Sequence, residues 1–368
     1  MDDLYPLRFV EFLRNYGFGD RWIVDAFDKD DLPQNHRIAE TWEVCDRPGE
    51  SSVVANGSLA GKTLRTLIDS YGVQLLGADV VDKCGTRFPL LIKFLDASNP
   101  LGEQIHQNDE LAAKQGLTDP GKTEAWYMLK VRDGATIRCG NEDGVTEQQV
   151  REALLDGTIR ETMREYAVQP GDAFLLYAGT MHYSAGGVLF YEIMQNSDVI
   201  IGLRPPAGDL TAAEKEAKVE LALEGIHLEN GFECKIVPLI VQEGTNKRSF
   251  VFACTYFVLE RLDLLDPYKL DCDGDRFYVL SQIEGSSVIE CGAYRVPMRA
   301  GYTCMLPACL GEVTIIPDGR CALLKSYLPD LMHNIVAPLR EAGFADEDIG
   351  ALGGKTALNP LRRFLARA

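Results

Sequence analysis

The sequence predicts a mainly β protein made of two copies of one β module, with a helical insert in the first copy and a helical tail after the second. Three observations carry this. Short runs with strand periodicity recur between residues 38 and 205 and again between 232 and 327. Trp126-Tyr127-Met128-Leu129 stands as far ahead of Gly134 as Phe277-Tyr278-Val279-Leu280 stands ahead of Gly285, an offset of 151 residues. Gln169-Pro170-Gly171 and Arg299-Ala300-Gly301, each leading into an apolar run, repeat at an offset of 130. The 21-residue difference matches the size of one helical insert. On this alignment Asp275 takes the place of Glu124 and Glu312 the place of His182, and no histidine lies between His227 and His333.

The elements follow in order. Residues 1–37 form an irregular arm with a helical piece around Tyr5–Tyr16. The first module spans 38–205. In it Glu40-Thr41-Trp42-Glu43-Val44 alternates as a strand, and Ser52 to Gly57 leads into a turn. Leu64, Leu67 and Ile68 give helical spacing to Lys62–Tyr71. Phe88–Leu95 is a buried strand holding a single Lys93, and Asn108–Gln115 is a short helix. Thr146–Tyr166 has no proline and reads as the helical insert. Val168 to Asp172 is a turn, and Ala173–Tyr177 a strand. Residues 206–231 are a helical linker, with a helix at Thr211–Leu223. The second module spans 232–330. The tail, 331–368, has helical spacing at Ile335, Leu339, Phe344, Ile349, Leu361 and Phe364.

Composition narrows the function classes. With 37 basic and 55 acidic side chains the formal charge is −18. That disfavours nucleic acid and anionic membrane surfaces as partners, while a local basic pocket still suits a small anion. No apolar run reaches the length of a membrane span, and the first residues lack the pattern of a secretion signal. The ten cysteines stand singly and read as reduced core residues. These points lead to an expectation of a cytoplasmic protein. The sequence sets no oligomeric state: monomer and homodimer stand equally.

Chemistry concentrates in three stretches: Gln104-Ile105-His106, Gly121-Lys122-Thr123-Glu124 and Ala178-Gly179-Thr180-Met181-His182. Gln104 and His106 are two apart and share a strand face. Two imidazoles, a carboxylate and an amide oxygen brought together on a β scaffold suit one divalent cation. Lys122 and Glu124 are likewise two apart, so both address one cavity. The other histidines, His36, His227 and His333, read as surface or capping residues.

In these stretches the chain resembles the class I mannose-6-phosphate isomerases of the short bacterial type, members of the cupin superfamily. The resemblance also rests on Glu40–Val44, on Ser52-Val53-Val54-Ala55-Asn56-Gly57, on Gly61-Lys62-Thr63-Leu64 and on Pro89–Ala97. It continues through Ile283-Glu284-Gly285-Ser286 and Leu306-Pro307-Ala308, and covers roughly residues 38–328. It implies two cupin (jelly-roll β-barrel) modules with one zinc ion in the first. By motif the ligands are Gln104, His106, Glu124 and His182. Lys93 and Lys122 match lysines lining the sugar-phosphate pocket, and the implied reaction interconverts mannose 6-phosphate and fructose 6-phosphate.

Three departures stand out. Gly102 replaces the usual serine, Gln107 the usual proline, and Gly202 the usual catalytic arginine. The nearest arginine is Arg204, on the same strand face but about 7 Å further along. The reading is therefore a zinc-dependent aldose–ketose isomerase using Lys122 and Arg204 for electrostatic stabilisation. The alternatives are an isomerase of a different or unphosphorylated sugar, a non-catalytic metal- and carbohydrate-binding regulatory cupin, or an iron-dependent cupin oxygenase.

Overall fold

The computed structural model describes residues 4–27, 29, 37–205 and 210–366. Two β barrels stand back to back and share one hydrophobic core. In the first, a seven-stranded sheet runs Lys235–Ile236, Ala173–Leu176, Glu124–Val131, Val188–Gln195, Leu90–Ala97, Glu40–Val44, Phe12–Arg14. It faces a five-stranded sheet of Met163–Ala167, Thr136–Asn141, His182–Ser184, Leu101–Ile105 and Ile201–Gly202. In the second barrel the order Leu239–Glu243, Asn246–Ala253, Val258–Leu264, Gly311–Tyr327, Tyr278–Cys291, Thr303–Leu306, Leu7–Val10 repeats the seven-stranded layer. Its two long strands bend across both layers, so Tyr268–Cys272 and Tyr294–Arg299 pair with their outer halves. This is the jelly-roll arrangement that the resemblance implied.

Side-chain alternation explains the shared core. Along Val188–Gln195, Phe190 points into the first barrel beside Trp126, while Leu189, Tyr191 and Ile193 join a cluster containing Val258, Leu262 and Leu324 of the second. Tyr191 Oη lies 2.8 Å from Ser326 Oγ, and Arg261 Nη1 donates to Tyr127 Oη at 3.0 Å, so the few polar groups between the barrels pair across the junction. The tail covers this core with Ile335, Val336, Leu339, Ile349, Leu352 and Leu361.

Two expectations about local structure fail. Residues 5–16 hold no helix but two strands, Leu7–Val10 and Phe12–Arg14. Leu7 pairs with Met305 and Phe9 with Val54, burying Leu7 and Phe9 on one face. Open strand edges on two sheets outweigh the local apolar spacing. The insert is also shorter than Thr146–Tyr166. A capping box at Thr146 and Gln149 starts a helix over Glu147–Asp156, and Gly157, at φ 85°, ends it. A 3-10 turn at Ile159–Thr162 and the strand Met163–Ala167 complete the segment. The helices at Leu64–Tyr71, Asp109–Lys114 and Ala212–Gly225 lie within or close to the expected spans. Among the described residues no helix is long and apolar enough to cross a membrane.

The register corrects the comparison of the two copies. Leu176 pairs with Glu124 and its counterpart Leu306 pairs with Tyr278, so Tyr278, not Asp275, occupies the place of Glu124. Glu312 forms an exposed ion pair with Lys269 rather than standing in for His182. The same register exposes a charge inversion. In the first barrel Lys93 lies between Glu40 (3.1 Å) and Glu192 (3.4 Å). At the equivalent positions of the second barrel, Glu260 lies between Arg248 (3.0 Å) and Lys325 (2.9 Å) and accepts a 2.6 Å bond from Tyr327 Oη. Burial opposes the charge on Glu260, but Lys325 and Arg248 hold its carboxyl down to about 2.

Removing Glu260 leaves the buried Lys325 without its counter-ion and Arg248 with Glu243, 3.9 Å away. Glu260→Ala should cost about 3–5 kcal/mol, read as a lower urea midpoint, with the metal content of the first barrel unchanged.

Candidate metal centre

The three stretches singled out in the sequence converge inside the first barrel. His106 follows directly on the strand Leu101–Ile105, Glu124 opens the strand Glu124–Val131, and His182 opens the strand His182–Ser184. Their ligand atoms lie within 4.8 Å of one another, and all three residues are buried. His106 Nε2 is 3.2 Å from Glu124 Oε2, and His182 Nε2 is 3.4 Å from Glu124 Oε1. Gln104 pairs in register with His182, and its amide nitrogen lies 3.0 Å from His182 Nε2. Turning that amide over would bring Oε1 to the same point.

Both imidazoles are set as ligands. His106 Nδ1 donates to Val199 O and His182 Nδ1 to Thr180 O, each at 2.8 Å, leaving the Nε2 lone pairs facing the cluster. Burial, reinforced at His106 by Lys122, pushes His106 down to about 3; burial likewise lowers His182. Although burial opposes it, the Lys122 ammonium holds the Glu124 carboxyl well below its usual range. His106 Nε2 and both Glu124 oxygens have no aligned hydrogen-bond donor or acceptor. Buried polar atoms left unmatched are costly, and a dication among them would satisfy all three. The donor set thus fits a metal ion, and two imidazoles with a carboxylate suit zinc or iron alike.

Lys122 precedes the strand, yet its Nζ reaches Glu124 Oε2 at 2.9 Å. Lys93 is nearly fully buried under Trp42, with its Nζ 5.0 Å from that ring, and its charge is committed to Glu40 and Glu192. Arg204 follows the strand Ile201–Gly202 and is exposed. Its Nε donates to Glu103 Oε2 at 2.7 Å, Arg160 binds the other oxygen of that carboxylate, and its side chain is 60% exposed. A Cβ on Gly102 would meet the Arg204 guanidinium at 3.9–4.0 Å, whereas Gly202 has open space around it. Gly102, Gln104, Gly202 and Arg204 line one cavity of about 540 Å³. His227 pairs with Glu229 at 3.0 Å, His333 is exposed, and His36 lies outside the described residues.

One functional candidate escaped the sequence reading. Glu192 sits in an apolar strand that gave no sign of its role. It stands beside Trp126 in the register, diagonal to Glu124, and accepts a 2.9 Å bond from Trp126 Nε1. Burial first, then the nearby Glu124 charge, lifts its carboxyl to about 7 despite Lys93. Sequence carried no signal for it, because its pairing with Lys93 is set by the sheet register.

Comparison with known proteins extends these findings. Residues 11–126 match the family model described as "Phosphomannose isomerase type I, catalytic domain", and residues 246–328 match "Mannose-6-phosphate isomerase, cupin domain". The chain is 31% identical over 302 residues to the mannose-6-phosphate isomerase ManA of Bacillus subtilis, covering 80% of this chain and 90% of that protein. It is 29% identical over 330 residues to GmuF of the same organism, named a probable mannose-6-phosphate isomerase, covering 88% and 99%. The crystal structure of the mannose 6-phosphate isomerase from Bacillus subtilis superposes with a TM-score of 0.74 at 25% identity, covering 87% and 99%. A variant of the phosphomannose isomerase from Salmonella typhimurium shares the fold, with a TM-score of 0.71 at 18% identity and coverage of 87% and 98%.

The purified protein is expected to carry about one divalent cation per chain, held by Gln104, His106, Glu124 and His182. His106→Ala and His182→Ala should each lose it by elemental analysis. A cation retained in both variants would place the metal elsewhere.

Proposed function

We propose that this chain, which belongs to the type I mannose-6-phosphate isomerase family, interconverts mannose 6-phosphate and fructose 6-phosphate with one zinc ion held by Gln104, His106, Glu124 and His182. The carrying observation is the convergence of three unmatched buried ligand atoms beside the Lys122 ammonium. A zinc ion at that point supplies Lewis-acid polarisation of a substrate oxygen.

The chain's own residues divide the remaining work. Isomerisation moves a proton between C2 and C1 through an enediolate, while the hydroxyl proton passes between O2 and O1. Lys122 stands where it stabilises the oxyanion that develops on those oxygens. Glu192, a buried carboxyl with a pKa near neutrality, is the base that carries the proton between the two carbons. Lys93 is its counter-ion and holds it in place. Arg204, in the cavity that Gln104 and Gly202 also line, holds the phosphate in place of the arginine missing at Gly202. The open space at Gly202 supports a second reading, an isomerase of an unphosphorylated sugar.

An activity screen over phosphorylated and free aldoses, with defined metal content, tests these assignments. Turnover of mannose 6-phosphate is expected, and its absence from a zinc-loaded enzyme would overturn the substrate assignment. Lys122→Ala should lower kcat. Glu192→Gln should keep the metal and lose about 10²–10⁴-fold in kcat. In the wild type kcat/KM should rise with pH as Glu192 gives up its proton, with a midpoint at about 7 or lower once the cation adds its field. Arg204→Ala should raise KM for mannose 6-phosphate; an unchanged KM would remove Arg204 from the phosphate site.

A further inference from the structure

The loop that presents Lys122 and Glu124 is gripped at three consecutive backbone amides. Gly121 N donates to Asp109 Oδ1 at 2.8 Å, Lys122 N to Gln107 O at 3.0 Å, and Thr123 N to Gln195 Oε1 at 2.9 Å. Gln195 N closes the last grip by donating to Thr123 O at 3.1 Å. Two of the three grips meet at one carboxylate, because Gln195 Nε2 also donates to Asp109 Oδ1, at 3.1 Å. Glycine is required at 121: a Cβ there would lie 2.4 Å from Asn108 C and Asp109 N. Asp109 itself opens the helix Asp109–Lys114, whose N-cap Asn108 accepts from Leu111 N at 2.8 Å. It stands three residues after the ligand His106, so the same short segment fixes one metal ligand and the loop bearing another.

The remaining oxygen of Asp109 is taken by the other barrel. Tyr256 lies between the strands Asn246–Ala253 and Val258–Leu264, and its hydroxyl donates to Asp109 Oδ2 at 2.8 Å across 147 residues of sequence. Burial and the adjacent Asp109 charge keep that phenol protonated. Tyr256 also lines a cavity of about 530 Å³ with Thr123, Ala178, Leu358 and Arg363.

We infer that Asp109 is a positioning residue for Lys122, and that Tyr256 lets the metal-free second barrel set the geometry of the reacting site in the first. Carboxylate-centred bonds to backbone N–H groups are charge-assisted and directional. A small displacement of a group that acts on the transition state is strongly felt in rate. The second barrel therefore contributes one hydroxyl to the reaction at one remove. The effect on rate rests on Lys122 being the acting group in the isomerisation proposed above.

Two measurements on the zinc-loaded full chain separate the positioning role from the isomerase function. Hydrogen exchange over residues 121–123 should quicken in Tyr256→Phe, and more so in Asp109→Ala, whatever the substrate. Exchange as slow as in the wild type in both variants would overturn the positioning role. In the isomerase assay Asp109→Ala should lower kcat at least tenfold and Tyr256→Phe two- to fivefold, with KM and metal content unchanged. Adding Tyr256→Phe to Asp109→Ala should cost nothing further. An equal loss in both backgrounds would show that Tyr256 does not act through Asp109. An inactive wild type would overturn the isomerase function, and the exchange rates alone would then decide whether Asp109 and Tyr256 hold the loop.

Discussion

Everything about the first barrel answers to one constraint: three buried polar atoms that no aligned hydrogen bond satisfies. His106 Nε2 and the two Glu124 oxygens sit where unmatched groups are expensive, at the end of a barrel otherwise filled by Leu95, Trp126, Phe174 and Phe190. Such an arrangement persists only when surrounding structure fixes each member. Val199 O and Thr180 O fix the imidazoles from behind, Lys122 offsets the carboxylate, and Gln107, Asp109 and Gln195 hold the loop between them. The fold is a frame that keeps an unfavourable cluster from collapsing onto itself, and a cation turns that cost into binding energy.

The second barrel gives the counter-example. Its interior also holds buried charges, but they are complete without a ligand. Glu260 is matched by Arg248, Lys325 and Tyr327. The charge is inverted at three register-equivalent positions, from Glu40, Lys93 and Glu192 to Arg248, Glu260 and Lys325, and Tyr278 stands where Glu124 does. The same backbone supports both outcomes, because barrel geometry fixes where side chains meet and leaves their charges free.

What the sequence made legible follows from the range of the interactions concerned. The metal ligands were readable because each lies in a short motif whose spacing fixes a strand face. The helix at Glu147–Asp156 was readable from its pattern, but its end at Gly157 lost out to the absence of proline. Leu7–Val10 was unreadable because its partners lie at Met305 and Val54, and local apolar spacing looks the same for a short helix. Glu192 was unreadable because burial beside Lys93, not its neighbours in sequence, gives the carboxyl its character. The place of Glu124 in the second copy slipped by three residues, since a comparison without gaps cannot see a change in loop length.

The exchange of strands between the barrels carries a consequence for synthesis. Leu7–Val10 closes the second barrel against Thr303–Leu306, while Lys235–Ile236 closes the first against Ala173–Leu176. At roughly 5–20 residues per second, the N-terminal strand leaves the ribosome roughly 15–60 s before the edge it pairs with exists. The first barrel can assemble in that interval, and Phe9 and Val10 can pair with Val53 and Val54, but Leu7 and Arg8 wait for Met305 and Cys304. Nascent chains of this protein therefore pass through a period when Leu7 is open to chaperones. Severing the modules would leave each barrel short of a strand supplied by residues outside it.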